Sequence, residues 1–344
     1  MPSRNELIAI LSAQDEAALE KVKLQVAALL EKQHLNEVYF RGLVEFSNIC
    51  RCDCLYCGIR KSAPVNRYQM TKEEIMAAAI YCHESGFGSM VLQSGERQGA
   101  AFIDFVEETL ILIKERFPKL EITLGVGEQS AATYKRFFKA GASRYLLRIE
   151  TSSPDLFAKI HPGDQLFASR LLALRHLKEI GYQVGSGVMI GLPGQTIEML
   201  ADDLLFLKEL DVDMVGMGPY VPSALTPMAA HAVSSKEERL SLSCLMIAAL
   251  RLLMPDINIV AATALDAVQS NGRETALLFG ANVVMPQVTA GKFRTGYQLY
   301  DNKPCLYEDP MCCRACLTQK IFAAGRMPGF NKSGTSQHFL KRFS

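Results

Sequence analysis

The sequence has no excess of either charge. Its 37 Lys and Arg stand against 36 Asp and Glu, a formal net charge of +1 over 344 residues. That balance argues against a chain-wide nucleic-acid footprint, so no nucleic-acid partner is expected. A long apolar run is also missing: the stretch 245–254 is interrupted by Arg251 and falls short of the roughly 18 residues of a membrane span, so no membrane partner is expected either. The N-terminal region carries Arg4, Glu6, Asp15 and Glu16 and does not read as a signal peptide. There is no internal repeat, low-complexity tract or composition break. The 49% hydrophobic content is ordinary for a globular chain and excludes disorder. A cytoplasmic enzyme is expected.

What the chain does have is cysteine, ten in all. Cys50, Cys52, Cys54 and Cys57 form one group, and Cys305, Cys312, Cys313 and Cys316 another. In a long chain without an export signal, such clustering points to metal or catalytic chemistry in a reducing compartment, not to disulfides. Cys82 and Cys244 stand alone in helical patterns and read as small buried hydrophobes.

After a helical stretch over 4–33, strand-like runs at 39–46, 90–93, 121–126, 144–149, 184–190, 214–217, 258–262 and 283–285 alternate with amphipathic segments. Thr71 with Glu74 and Ser234 with Glu237 read as capping boxes, and Ser153–Pro154 as a helix start. Gly86, Gly141 and Gly181 mark helix ends. Eight such units predict an α/β fold, a (β/α)8 TIM-type barrel, with a doubly wound sheet as the rival. The expected division is a helical extension over 1–36, the barrel over 37–300, and a C-terminal segment over 301–344 with the second cysteine group and a basic tail lying over the surface. Polar residues gather after the strands, as they do at the C-terminal face of a barrel where active sites are built.

Cys50, Cys54 and Cys57 make a C-x3-C-x2-C pattern directly after the first strand. Soft thiolates this close suit an iron–sulfur cluster or zinc. Cys52 could complete a zinc tetrahedron but would be cramped between its neighbours; a cubane on three cysteines instead leaves one iron open to a small molecule. This pattern, with Tyr56 before the last cysteine, resembles the radical S-adenosylmethionine (SAM) superfamily. The segments Val44-Glu45-Phe46-Ser47-Asn48, Leu55-Tyr56-Cys57-Gly58, Val91-Leu92-Gln93-Ser94-Gly95-Glu96, Arg144-Tyr145-Leu146-Leu147-Arg148, Gly191-Leu192-Pro193-Gly194-Gln195-Thr196, Asp213-Met214-Val215-Gly216 and Tyr297-Gln298-Leu299-Tyr300 further resemble the HydE family of FeFe-hydrogenase maturases, within the biotin-synthase-like group.

The resemblance implies a [4Fe–4S] cluster on Cys50, Cys54 and Cys57, whose open iron chelates SAM. It implies SAM contacts from Tyr56, Ser94, Gly95, Glu96, Arg148, Glu150, Arg170 and Met189, and a substrate cavity at Thr263, Met285, Arg294 and Tyr297. Cleavage of SAM would give a 5′-deoxyadenosyl radical acting on an organometallic substrate, a cysteine-ligated iron carbonyl–cyanide complex. The implied partners are the other hydrogenase maturases (a precursor donor and a GTPase scaffold) and a reducing electron donor. Ile149 and Ala262 depart from the family pattern, which leaves the fine substrate contacts open. Cys305, Cys313 and Cys316, in a C-x7-C-x2-C pattern, permit zinc, an iron–sulfur cluster or free thiols. The resemblance implies an auxiliary 2Fe–2S or 4Fe–4S cluster. The rival readings are an aminomutase resembling methylornithine synthase, a sulfur-inserting enzyme resembling biotin synthase, and a non-catalytic iron–sulfur protein for electron transfer or metal delivery.

Overall fold

The computed structural model describes residues 1–13, 15–231, 233–307 and 310–342; the side chains of 310–312, and so that of Cys312, lie outside the described set. Eight parallel strands form the frame: β1 (Glu37–Ser47), β2 (Ser89–Ser94), β3 (Glu121–Gly125), β4 (Ala142–Leu146), β5 (Gln183–Ser186), β6 (Met214–Val215), β7 (Asn258–Ile259) and β8 (Val283–Val284). Each pairs with the next, and β8 pairs with β1. The last seam closes through a Val260–Val283 bridge and a 2.9 Å bond from the Asn282 N–H to the Ile259 carbonyl. The ring is therefore the predicted (β/α)8 barrel, each strand matching one of the eight expected runs.

Several expected strands end earlier than the sequence suggests. The run 184–190 breaks after Ser186, because Gly187 passes so close to the next strand that a Cβ there would lie 1.9 Å from the Gly216 carbonyl oxygen. Its continuation, Met189–Ile190, pairs separately with Gly218–Pro219. Helices between the strands begin as the capping chemistry dictates: Thr71 and Glu74 form a capping box, and Ser153 caps a helix with Pro154 in its first turn. The second box sits one residue later than expected, on Ser235 and Glu238. Asp15 starts a new helix, so the N-terminal stretch is two helices, α1 (Arg4–Ser12) and α2 (Glu16–Lys32).

The basic tail does not simply lie over the surface. Arg326 is buried and donates to the carbonyls of Leu35 and Leu277. A short strand, β9 (Met327–Gly329), adds to the start of β1. The Gly334 carbonyl accepts from Asn258 inside the lower barrel, and Arg342 pairs with Asp211 and Asp213. The tail thus covers the N-terminal face, leaving the C-terminal face for chemistry. Among the described residues no helix is long and apolar enough to cross a membrane.

Candidate active site

The loop after β1 carries Cys50, Cys52, Cys54 and Cys57, and its carbonyls and amides are tied down on every side. Arg67 donates to the carbonyls of Asn48, Ile59 and Arg60 at 2.6, 2.9 and 2.5 Å. The Leu55 N–H bonds the Ile160 carbonyl and the Gly58 N–H the Leu299 carbonyl, at 2.9 and 2.8 Å. Asp53 takes Arg60 and Ser62, and the Arg60 contact holds its carboxyl well below the usual range. The described cysteines are all free.

Burial pushes the Cys54 thiol well up and the Cys57 thiol to about 12, and each feels the other cysteines of the loop. The Cys50 thiol is moved the other way, to about 7, by a hydrogen bond with Cys52. Three soft donors thus face a common space, an arrangement a cationic iron cluster relieves by taking each as thiolate. Among the described residues no three His, Cys, Asp or Glu side chains gather tightly enough to hold a single metal ion.

The other strand ends face this loop. Gly95 is pressed onto it, since a Cβ would lie 2.5 Å from the Ile49 carbonyl oxygen and 2.7 Å from Cys50 Cβ. Ser94 donates to the Gly95 carbonyl. Glu96 braces the approach: its Oε1 accepts from Arg51 and Cys52, and its Oε2 from the Glu128 N–H at 2.8 Å. Glu150, 7% exposed, has φ +68°, a left-handed conformation that non-glycine residues rarely adopt. Its Oε2 lies 2.9 Å from Arg148 Nη2, an ion pair without hydrogen-bond alignment, so that oxygen and Arg148 Nε are both left unbonded. Backbone strain and a carboxylate oxygen without a hydrogen bond thus coincide at this position of the mouth. Arg148 also donates to the Val188 carbonyl at 2.9 Å, and Arg170 donates to Glu128 and to the Arg148 carbonyl. Met189 belongs to a small apolar group with Leu156, Ile160 and Tyr220, against which Tyr56 packs.

Inside the barrel, Tyr297 accepts from Gln93 at 3.2 Å. Thr263 opens the helix Thr263–Val268 beyond β7, and Met285 follows β8, both half-buried. Arg294 is buried, and its guanidinium serves main-chain carbonyls of Gln287, Thr289 and Cys305. That makes it a clasp for the closing segment. Sequence reasoning missed the network beside it. Glu45 is 1% exposed and takes Lys303 at 2.5 Å and Gln287 at 2.7 Å, while Lys303 also donates to the Tyr297 carbonyl. A carboxylate set among Leu43, Val44 and Phe46 near the end of the first strand was the available signal.

Cys305 and Cys313 come together: their thiols hydrogen-bond, and Arg273, held by Asp266 at 2.6 Å, stands 3.8 Å from Cys305 Sγ. Cys316, one turn further along the helix Pro310–Ala323, is exposed. Among the described side chains a thiol pair is therefore prearranged here, with Cys316 apart from it. A cavity of about 530 Å³ lined by Gln98, Glu128, Ser169 and His176 lies among the outer helices and touches the mouth only at Glu128.

A sequence profile of the radical SAM superfamily matches residues 44–207, the span that holds the cysteine loop, Glu150, Arg170 and Met189. The [FeFe] hydrogenase maturase subunit HydE of Thermotoga maritima is 41% identical over 338 residues, covering 98% of this chain and 95% of that protein. The 3-methylornithine synthase of Methanosarcina acetivorans is 28% identical over 304 residues, covering 87% of this chain and 83% of that one. Among solved structures, methylornithine synthase matches with a TM-score of 0.81 at 25% sequence identity, over 96% of this chain and 94% of that chain.

Proposed function

Since the chain belongs to the HydE family of radical SAM enzymes, a hydrogenase maturase family, we propose that it acts on a cysteine-ligated iron carbonyl–cyanide complex during assembly of the diiron site of FeFe-hydrogenase. The observation that carries the site assignment is the pinned three-thiol loop set opposite Glu150, a strained residue whose Oε2 pairs with Arg148 but makes no hydrogen bond. Bound here, a [4Fe–4S] cluster with SAM on its open iron supplies one-electron cleavage of the sulfonium to a 5′-deoxyadenosyl radical.

In this reading Cys50, Cys54 and Cys57 hold the cluster. Glu150 accepts the ribose hydroxyls, oriented by Arg148. Arg170 is the cation for the methionine carboxylate, a pairing for which a guanidinium fork is suited. Tyr56 and Met189 flank the adenine, and the Ser94-Gly95-Glu96 turn offers backbone to the amino group. Gln93, Tyr297, Thr263 and Met285 line the path to the substrate, while Arg294 positions the segment that carries Tyr297. Cys305, Cys313 and Cys316 form an auxiliary 2Fe–2S or 4Fe–4S site with a structural role. The partners are a precursor-donating maturase, a GTPase scaffold and a low-potential electron donor, in the cytoplasm.

Anaerobic reconstitution with iron, sulfide, SAM and dithionite tests the core of this reading. Formation of 5′-deoxyadenosine with a four-iron EPR signal is expected, and the absence of both would overturn it. An aminomutase is the second reading, favoured by the likeness to methylornithine synthase in sequence and fold. Turnover of an amino acid, but not of the iron complex, would select it.

A further inference from the structure

Cys52 is extra to the three-cysteine pattern, yet it is only 7% exposed and is bonded to Cys50, Glu96 and Gln165. Its Sγ lies 3.2 Å from Glu96 Oε1 and accepts from Gln165 Nε2 at 2.8 Å. The other end of the same amide, Gln165 Oε1, accepts from the Cys54 thiol at 3.1 Å. Gln165 sits on the turn between the helices Pro154–Ile160 and Phe167–Ile180, with its own N–H on the Pro162 carbonyl. The chain of bonds therefore runs Cys54 to Gln165 to Cys52 to Glu96, each donor passing to the next acceptor.

That order depends on Cys54 carrying a proton. As a cluster ligand it is a thiolate, which can only accept, and it would then face the carbonyl oxygen of Gln165 at hydrogen-bond distance. A half-turn of the amide removes the conflict. Nε2 then donates to the Cys54 thiolate, and Oε1 accepts from the Cys52 S–H, which swings off Glu96. Glu96 keeps Arg51 and the Glu128 N–H as partners. The two ends of an amide are nearly isosteric, so the turn needs no backbone movement.

We propose that Gln165 and Cys52 form a relay that sets the reduction potential of the cluster: Gln165 is the positioning donor to the Cys54 thiolate, and Cys52 is the S–H that holds the Gln165 amide in that orientation. Cys52 is thereby neither a fourth ligand nor a bystander. A donor to a cluster thiolate stabilises the reduced cluster, which is the more negative state, and so raises the potential. The inference rests on the reading that Cys50, Cys54 and Cys57 hold a cluster.

EPR-monitored redox titration of the anaerobically reconstituted full chain, with iron analysis, tests it on Gln165→Leu, Cys52→Ala and Cys52→Ser. Gln165→Leu is expected to keep wild-type iron and titrate at lower potential. Cys52→Ala should shift the same way by less, and Cys52→Ser, which retains an O–H donor, should return towards wild type. An unchanged potential in Gln165→Leu overturns the relay, and so does iron loss in Cys52→Ala, which would make Cys52 a ligand. A wild-type chain that takes up no four-iron cluster overturns instead the functional reading beneath it.

Discussion

The two cysteine groups differ less in sequence than in setting. The first lies on a loop after β1 whose amides and carbonyls are bonded to Arg67, Ile160, Glu96 and Leu299, with its thiols walled by Tyr56, Glu96 and Gln165. The second spans a turn and a helix outside the strand ring: two thiols meet beside Arg273, and the third is exposed. A site that must hold a reactive cofactor in one geometry and exclude water needs a rigid, enclosed frame. The first group has that frame and the second does not. The lesson is that cysteine spacing nominates a metal site, whereas the partners around the loop decide whether it can be catalytic.

The largest effect should come from the cysteines themselves. Replacing Cys54 with Ala is expected to abolish SAM cleavage, a loss on the order of 1000-fold or more, because one ligand of three is removed. A Cys305/Cys313/Cys316 triple Ala variant should lose only its share of the iron and keep SAM cleavage within about two-fold. Comparable losses in both variants, read as 5′-deoxyadenosine formed per chain, would erase the distinction between the sites.

The segment 297–305 joins the two groups, from the Leu299 carbonyl on Gly58 to the Cys305 carbonyl on Arg294. Its anchor is Lys303 on Glu45, both nearly fully buried. Breaking one side of such a pair strands a buried charge, so Lys303→Met should cost about 3–5 kcal/mol of stability in denaturant titration. A Lys303→Met/Glu45→Gln double variant should recover part of that. If the double variant is no better than the single one, the cost lies in lost packing and the ion pair is not the anchor.

His161, against which Tyr56 leans at 3.4 Å, has no counterpart around the second group. Burial, followed by the charge of Arg170, lowers its pKa to about 3. The folded value lies below the unfolded one, near 6.5, so as pH falls from about 6.5 towards 3 the unfolded chain takes up a proton that the native imidazole refuses. Stability should be lost across that window, on the order of 2 kcal/mol by pH 5 from this group alone. In His161→Gln the acid slope should be shallower by that amount. An identical slope would mean that His161 titrates normally.

Much of this was legible beforehand, for reasons visible in single residues. Eight apolar runs with helix starts between them gave the barrel, since parallel strands buried on both faces must be continuously apolar. The cysteine loop and the positions 94–96, 148 and 150 do follow the ends of β1, β2 and β4, as the sequence pattern placed them. What escaped were partners set by long-range geometry. Glu45 meets Lys303 across 258 residues of chain, and Gln165 meets Cys52 across 113. Arg294, expected in the substrate cavity, donates to the carbonyls of Gln287, Thr289 and Cys305, partners the sequence did not show. A basic tail without acids looked like a surface strand of chain, yet its Gly334 carbonyl accepts from Arg41 and Asn258 inside the lower barrel. Local pattern reports which face of an element is buried, not which distant residue will meet it there.

The smallest effect is the most discriminating, because both groups carry the same backbone feature. Glu150 at the first and Cys305 at the second are non-glycine residues with positive φ, +68° and +63°. Each stores about 1 kcal/mol of conformational strain that glycine would relieve, so Glu150→Gly and Cys305→Gly should both gain about that much stability or lose only the contacts of the missing side chain. Their consequences for SAM should diverge. At Glu150 the strain holds a carboxylate at the mouth beside Arg148, with Oε2 lacking a hydrogen bond, so glycine there should weaken SAM binding about ten-fold while leaving the cluster in place. At Cys305 the strain aims a thiol at Cys313, and SAM affinity should not move. Calorimetric titration of SAM into the two reconstituted variants reads the difference directly. Equal affinities would mean that the left-handed turn at Glu150 serves the chain's path around the mouth, not the ligand.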